Sequence, residues 1–155
     1  MFDLGGRHAI VTGGSRGLGS YMAKALARAG ADLIITARDA RDCETTAQSI
    51  REIGRDVRAY SLDVREQESI QSFAATMRSD GVEPSILVNN AGCNVRKPFF
   101  EITWDEWNLV LDTNLRGTYF VTQAVAPGMV EAGYGRIVNI GSVTSVFGYA
   151  GLGPY

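Results

Sequence analysis

Four glycines fall within the eight residues Thr12-Gly-Gly-Ser-Arg-Gly-Leu-Gly19, directly after the apolar run His8-Ala-Ile-Val-Thr12. A helix-like pattern begins inside the same segment, and no other feature limits the fold as much. A strand, a glycine turn and a helix opening within that turn bring backbone amides together where the helix dipole favours an anion. Gly13, Gly17 and Gly19 fit the positions where the backbone must turn or approach a pyrophosphate, and Ser15, Arg16 and Leu18 complete the loop. Gly14 and Gly19 have P-loop spacing, but Ser20-Tyr21 stand where Lys-Ser/Thr is required, so an NTPase reading fails. The spacing present is G-x-x-x-G-x-G rather than G-x-G-x-x-G.

Short β-branched runs alternate with helical patterns along the rest of the chain. His8–Thr12, Asp32–Ala37, Val57–Ser61, Ser85–Asn89 and Arg136–Ile140 read as strands, several of them apolar almost throughout, as buried parallel strands are. Leu18, Met22, Ala25, Leu26 and Ala29 form one helical stripe, ended by Gly30. Ile70, Phe73, Ala74 and Met77 form another. Thr103-Trp-Asp-Glu106 reads as a capping box opening a long helix that Gly117 and Pro127 interrupt. Strands and helices in strict alternation imply an α/β fold, with a parallel sheet and helices on both faces.

With 155 residues, 45% hydrophobic and 21% charged, the expectation is one domain, residues 1–155, neither disordered nor membrane-embedded. Fifteen basic against 17 acidic residues, without a basic block, argue against a nucleic-acid partner. One histidine and two cysteines, Cys43 and Cys93, give no ordinary zinc site and suit a reducing compartment. Cys93 is expected to be a small buried thiol. The first residues lack the charged and apolar regions of a signal peptide, so the expected setting is the cytoplasm, with no membrane partner.

The end of the second strand bears on the cofactor. An acidic residue there would bind the ribose 2′-hydroxyl of NAD, whereas arginine accommodates the 2′-phosphate of NADP. The strand ends at Ala37-Arg38, and Arg16 lies in the glycine loop, so two guanidinium groups favour NADP over NAD. Asp39 is the rival ribose acid if the strand runs further.

In order and spacing these residues resemble the classical short-chain dehydrogenase/reductase family. Thr12-Gly13-x-x-x-Gly17-x-Gly19 matches its cofactor loop, and Asp63-Val64 its adenine-side pair. Asn89-Asn90-Ala91-Gly92 matches its strand-end motif, with Asn89, Ala91 and Gly92 carried over as cofactor-binding. Asn114 matches its catalytic asparagine, Ser142 its serine, and Tyr155, 13 residues later, its tyrosine. The resemblance implies a Rossmann-like doubly wound sheet of five strands in order 3-2-1-4-5. It also implies NADP-dependent interconversion of a secondary alcohol and a ketone on a small-molecule substrate. Ser142 would donate to the substrate oxygen, Tyr155 would move the proton, and Asn114 would hold a water. Read singly, Asn90 and Ala91 could only shape a turn and Asn114 only kink a helix. Ser145 rivals Ser142, and Tyr149 rivals Tyr155.

Cys93–Phe99 and Gly141–Tyr155 resemble the branch holding gluconate 5-dehydrogenases and sugar dehydrogenases, close to the 3-oxoacyl carrier-protein reductases. A sugar acid, sugar or oxoacyl group is therefore the expected substrate, and Arg96 and Lys97 could attract a carboxylate. The family's lysine, one helical turn past the tyrosine, would fall beyond residue 155. The 155-residue polypeptide is accordingly expected to be a truncated form, inactive alone, with the fifth strand an apolar unpaired edge. The longer family form is expected to be a homotetramer or dimer.

Overall fold

The computed structural model describes residues 3–155. Five parallel strands form one sheet in the order β3-β2-β1-β4-β5, the expected one. They are β1 (His8–Val11), β2 (Asp32–Ala37), β3 (Val57–Ser61), β4 (Ile86–Asn89) and β5 (Arg136–Asn139). Helices α1 (Gly17–Arg28), α2 (Glu44–Glu52), α3 (Gln67–Ser79), α4 (Trp104–Leu111) and α5 (Thr118–Glu131) make the crossovers.

Alternation along each strand divides the core between two layers. Ala9, Val11, Leu33, Ile35 and Val88 pack under α1 and α2, with Ala23, Ala27, Ala47 and Ile50 from those helices. Ile10, Ile34 and Leu87 point the other way, against Ile70, Phe73 and Met77 of α3 and Val121, Val125 and Met129 of α5. Both faces of β1, β2 and β4 are thus covered, which explains their continuous apolar sequence. In β5 all four residues are exposed.

Two helical expectations are corrected. The buried face of α1 is Gly19, Ser20, Ala23 and Ala27; of the expected stripe, Met22 and Leu26 pack on the core from its flanks, whereas Leu18 is 69% exposed. Close approach of the helix to the sheet selects small side chains there, and larger ones spread to the flanks. Pro127 does not interrupt its helix but sits inside α5. The real break is earlier: Asp112–Gly117 is a π-helical segment between α4 and α5. A Cβ on Gly117 would lie 2.8 Å from the Val64 backbone oxygen, so a glycine is needed where this segment crosses the β3–α3 connection.

The helix stops follow the chain's punctuation. Gly30, at φ +103°, closes α1 with Gly30 N–H donating to Ala27 O and Ala31 N–H to Leu26 O. This paired pattern is a Schellman cap, which needs the left-handed conformation glycine adopts most easily. The capping box at α4 forms as expected: Thr103 Oγ1 accepts from Glu106 N–H, and Glu106 Oε2 accepts from Thr103 N–H.

Candidate cofactor cleft and catalytic segment

A cleft of about 820 Å³ opens beyond the carboxyl ends of β1–β4, where ligands bind in open α/β sheets. One wall is the glycine loop, with Gly13, Ser15, Arg16, Gly17, Leu18 and Gly19 all lining it. Helix α1 begins there with no side-chain cap and no acidic residue in its first turn, so its leading N–H groups remain for an anion. Gly19 lies so close to the strand end that an added Cβ would sit 2.2 Å from Gly13 O. Only glycine lets the helix start this near the turn.

Thr12 and Asn90 hold the loop from beneath. The buried Thr12 Oγ1 accepts the backbone N–H of Asn90 at 2.9 Å and of Ala91 at 3.0 Å. Asn90 Nδ2 also donates to the carbonyls of Thr12 (2.9 Å) and Gly13 (3.2 Å). The β4 exit and the glycine turn are therefore locked to one another through both side chains. Asn90, Ala91 and Gly92 line the cleft.

Arg16 and Arg38 line the same cleft, and among the described residues neither has an ion-pair partner. Asp39 is occupied otherwise. Strand β2 stops at Ala37, and Asp39 caps the following turn, accepting from Arg41 N–H at 2.9 Å and pairing with the Arg41 guanidinium. Those hydrogen bonds hold its carboxyl down at about 2. Asp42, absent from the sequence reading, also lines the cleft.

Asp63 and Val64 sit at the far end, beside Leu62 and Arg65. Hydrogen bonds from Arg65 hold the Asp63 carboxyl below its ordinary range, and nearby Arg38 adds a weaker pull. Arg65 was missed by sequence reasoning, although its place two residues after Asp63 is the spacing of a local Asx turn. Cys93 was expected to be buried but is half-exposed on the cleft wall, its Sγ 3.5 Å from Leu109 O. The fully buried thiol is Cys43, which burial pushes up to about 11.

Asn89 does not line the cleft. Its Nδ2 donates to Thr122 Oγ1 and Asn139 Oδ1, both at 2.9 Å, tying β4 to α5 and β5. Asn114, in the π segment, reaches the backbone of Cys93 in both directions: Oδ1 accepts its N–H at 2.8 Å and Nδ2 donates to its carbonyl at 2.9 Å. The π segment is thereby fixed to the strand-end loop just behind Gly92.

Ser142 opens a short turn after β5. Its Oγ accepts from Thr144 N–H at 3.2 Å and from Thr144 Oγ1–H at 2.8 Å, so both lone pairs are engaged and its own proton remains to be donated. Ser145 Oγ donates to the Ser142 carbonyl at 2.6 Å, inside the same turn. Tyr155 is half-exposed, and its N–H donates to Leu152 O. Neither Ser142 nor Tyr155 lines the cleft, and no hydrogen bond joins them among the described residues. Arg96 stacks on the ring of Tyr149, 5.5 Å from its centroid. Lys97 is paired with Glu106, and its backbone N–H donates to Gly151 O. The basic pair of the sequence is thus one committed ammonium and one guanidinium lying on an aromatic face.

The chain resembles known proteins over its whole length. It is 37% identical over all 155 residues to the gluconate 5-dehydrogenase of Gluconobacter oxydans (strain 621H), covering 60% of that protein. It is 39% identical over 153 residues to the 3-oxoacyl-acyl-carrier-protein reductase FabG of Pseudomonas aeruginosa, covering 99% of the chain and 62% of the relative. The crystal structure of a gluconate 5-dehydrogenase from Burkholderia cenocepacia J2315, in complex with NADP and tartrate, superposes with a TM-score of 0.94 at 36% identity. That match covers 99% of this chain and 60% of the other. The sequence profile described as short chain dehydrogenase matches residues 7–155. Since that match runs unbroken through the cleft and the segments bearing Asn114, Ser142 and Tyr155, the chain belongs to the short-chain dehydrogenase family.

Proposed function

We propose that the chain carries the NADP site and catalytic residues of an oxidoreductase interconverting a secondary alcohol and a ketone. The substrate belongs to the sugar-acid, sugar or oxoacyl class, as in the gluconate and 3-oxoacyl enzymes it resembles. The observation that carries the reading is that Arg16 and Arg38 share one cleft with the glycine loop while Asp39 is turned onto Arg41. Two guanidinium groups free of ion pairs among the described residues suit a phosphate. Asp39, the carboxylate nearest the end of β2, is engaged by Arg41, while Asp42 on the cleft wall comes only in the turn that follows.

The residues present fit such a cofactor. The uncapped start of α1 would hold the pyrophosphate, and Arg16 and Arg38 the 2′-phosphate. When bound, the reduced nicotinamide supplies the hydride. Ser142, with both lone pairs held by Thr144, donates its proton toward the substrate oxygen and stabilises charge developing there. Tyr155 exchanges the proton with that oxygen. Asn114 fixes the π segment against Cys93 behind the reacting face.

The deciding experiment is a fluorescence titration with NADPH and NADH, paired with assays of NADPH oxidation on 5-ketogluconate and a 3-oxoacyl thioester. NADPH is expected to bind at least about tenfold more tightly than NADH, and Arg16→Ala with Arg38→Ala to abolish that preference. Equal binding of the two cofactors would refute the NADP assignment. The 155-residue chain is expected to bind NADPH without turnover, and only absence of turnover in a form that continues to the family's lysine would favour a non-catalytic NADP-binding module instead.

A further inference from the structure

Helix α2 reaches the glycine loop through one side chain. Thr46, 2% exposed, holds its Oγ1 3.1 Å from the Ser15 carbonyl oxygen and 2.9 Å from Ser20 Oγ. A hydroxyl has one proton and a carbonyl oxygen can only accept, so Thr46 donates to Ser15 and accepts from Ser20. Ser20 is buried as well, so this chain of bonds lies out of water, where hydrogen bonds are stronger and costlier to break. Among the described residues no other side chain hydrogen-bonds Ser15 or Arg16. That stretch stands between Gly13 and Gly17, both at positive φ, and it lines the cleft, whereas Thr46 and Ser20 do not. Helix α2 is firmly seated, with Cys43, Ala47 and Ile50 all buried, and the turn Ala40–Cys43 that leads into it begins two residues after Arg38.

We propose that Thr46 is a positioning residue for cofactor selection: by tying the Ser15–Arg16 stretch to the helix that follows Arg38, it fixes the backbone spacing at which Arg16 and Arg38 meet on one phosphate. The proposal rests on the NADP reading given above. Two guanidinium groups grip one phosphate only when both reach it together. A loop free to hinge at Gly13 and Gly17 would let Arg16 drift from Arg38. NADH carries no 2′-phosphate, so its binding draws on the start of α1 and the glycine turn and not on that spacing. The Thr46 hydroxyl therefore acts on the preference between the two cofactors more than on the affinity common to both.

The test is a nicotinamide-fluorescence titration of the 155-residue chain with NADPH and NADH, alongside thermal melting. Thr46→Val keeps the shape and removes the donor. It should weaken NADPH binding about tenfold and NADH binding by less than about twofold. Thr46→Ser restores the hydroxyl and should keep the parent's ratio. Ser20→Ala removes a buried bond but leaves Thr46 on the Ser15 carbonyl, so it should lower the melting temperature with the ratio unchanged. Thr46→Cys, with its weak donor, should shift the ratio in the same direction as Thr46→Val, and it carries the test if the Val variant does not melt cooperatively. An undiminished NADPH preference in the Val or Cys variant would overturn this proposal alone, as would equal weakening of both cofactors, the mark of a purely structural bond. A parent chain that binds NADPH and NADH equally, or binds neither, sinks the NADP reading and takes the proposal with it.

Discussion

Thr12 and Asn90, 78 positions apart in sequence, are joined by two hydrogen bonds that Asn90 donates: its backbone N–H to Thr12 Oγ1 and its Nδ2 to the Thr12 carbonyl, each at 2.9 Å. The geometry of the glycine turn therefore depends on a strand exit from another part of the chain. Thr12→Val keeps the shape but removes the acceptor for two partly buried N–H groups. We expect a loss on the order of 2–4 kcal/mol in urea unfolding, with Thr12→Ser close to the parent protein.

Two glycines of the turn separate steric from conformational requirements. Gly17 has φ +54° and open space where a Cβ would sit, whereas the Gly19 Cβ would collide with Gly13 O. Gly17→Ala is expected to cost about 1–2 kcal/mol with cofactor binding weakened but present. Gly19→Ala should displace the turn itself and abolish NADPH binding. Parallel melting and titration of the two variants checks the order.

The two cysteines should behave oppositely toward thiol reagents. Cys93, on the cleft wall, should react with Ellman's reagent at pH 8 and be protected by saturating NADPH. Cys43 should react only after unfolding. Its pKa of about 11 exceeds the ordinary 9.0 because of burial, so the folded state keeps a proton that the unfolded chain releases. Stability should thus decline as pH rises above about 9, and Cys43→Ala should flatten that decline.

At the acid end the sign reverses. The Asp63 carboxyl is lowered chiefly by its hydrogen bonds to Arg65, so the pair's contribution is fully present above the unfolded value, about 3.9. It is lost as pH falls through the lower folded value. The stability difference between the parent and Asp63→Asn should hold steady from pH 7 to 5 and shrink below pH 4 in denaturant titrations.

Strand β5 pairs only with β4 among the described residues, and Ile137 and Val138, on opposite faces, are 43% and 46% exposed. Such an edge offers both backbone groups and apolar surface to a second molecule. The 155-residue polypeptide should self-associate with rising concentration, and Val138→Lys should suppress the association in light scattering.

Strand positions were legible because β1, β2 and β4 are buried on both faces, which leaves few polar residues to blur the pattern. The face of α3 was legible for a similar reason, since Phe73 and Met77 reach the sheet from a distance that large side chains must fill. Helix α1 was legible only in part: Met22 and Leu26 do pack on the core, but hydrophobicity also marks the exposed Leu18 and passes over Gly19, Ala23 and Ala27, which make the closest approach to the sheet. The glycine loop with Arg16, and Arg38 after the second strand, came from local spacing. Arg65, Asp42 and the Thr12–Asn90 lock did not, because each acquires its role from a neighbour that only the fold supplies. The division of labour between Asn89 and Asn90 was equally hidden: β4 ends at Asn89 and Asn90 lies just past it, and sequence alone does not say at which of the two the strand stops.

The π segment at Asp112–Gly117 gives this part of the chain one residue more than a continuous helix would need. A π turn holds that extra residue over about the rotation and rise of an α turn, so α4 and α5 keep the faces they would have in one regular helix. Deleting a single residue between Asp112 and Gly117 would therefore merge them into such a helix and leave Val121 and Val125 in the core. Asn114 alone would lose the local offset that sets it on the Cys93 backbone. The extra residue thus serves the strand-end loop and not the packing of the sheet.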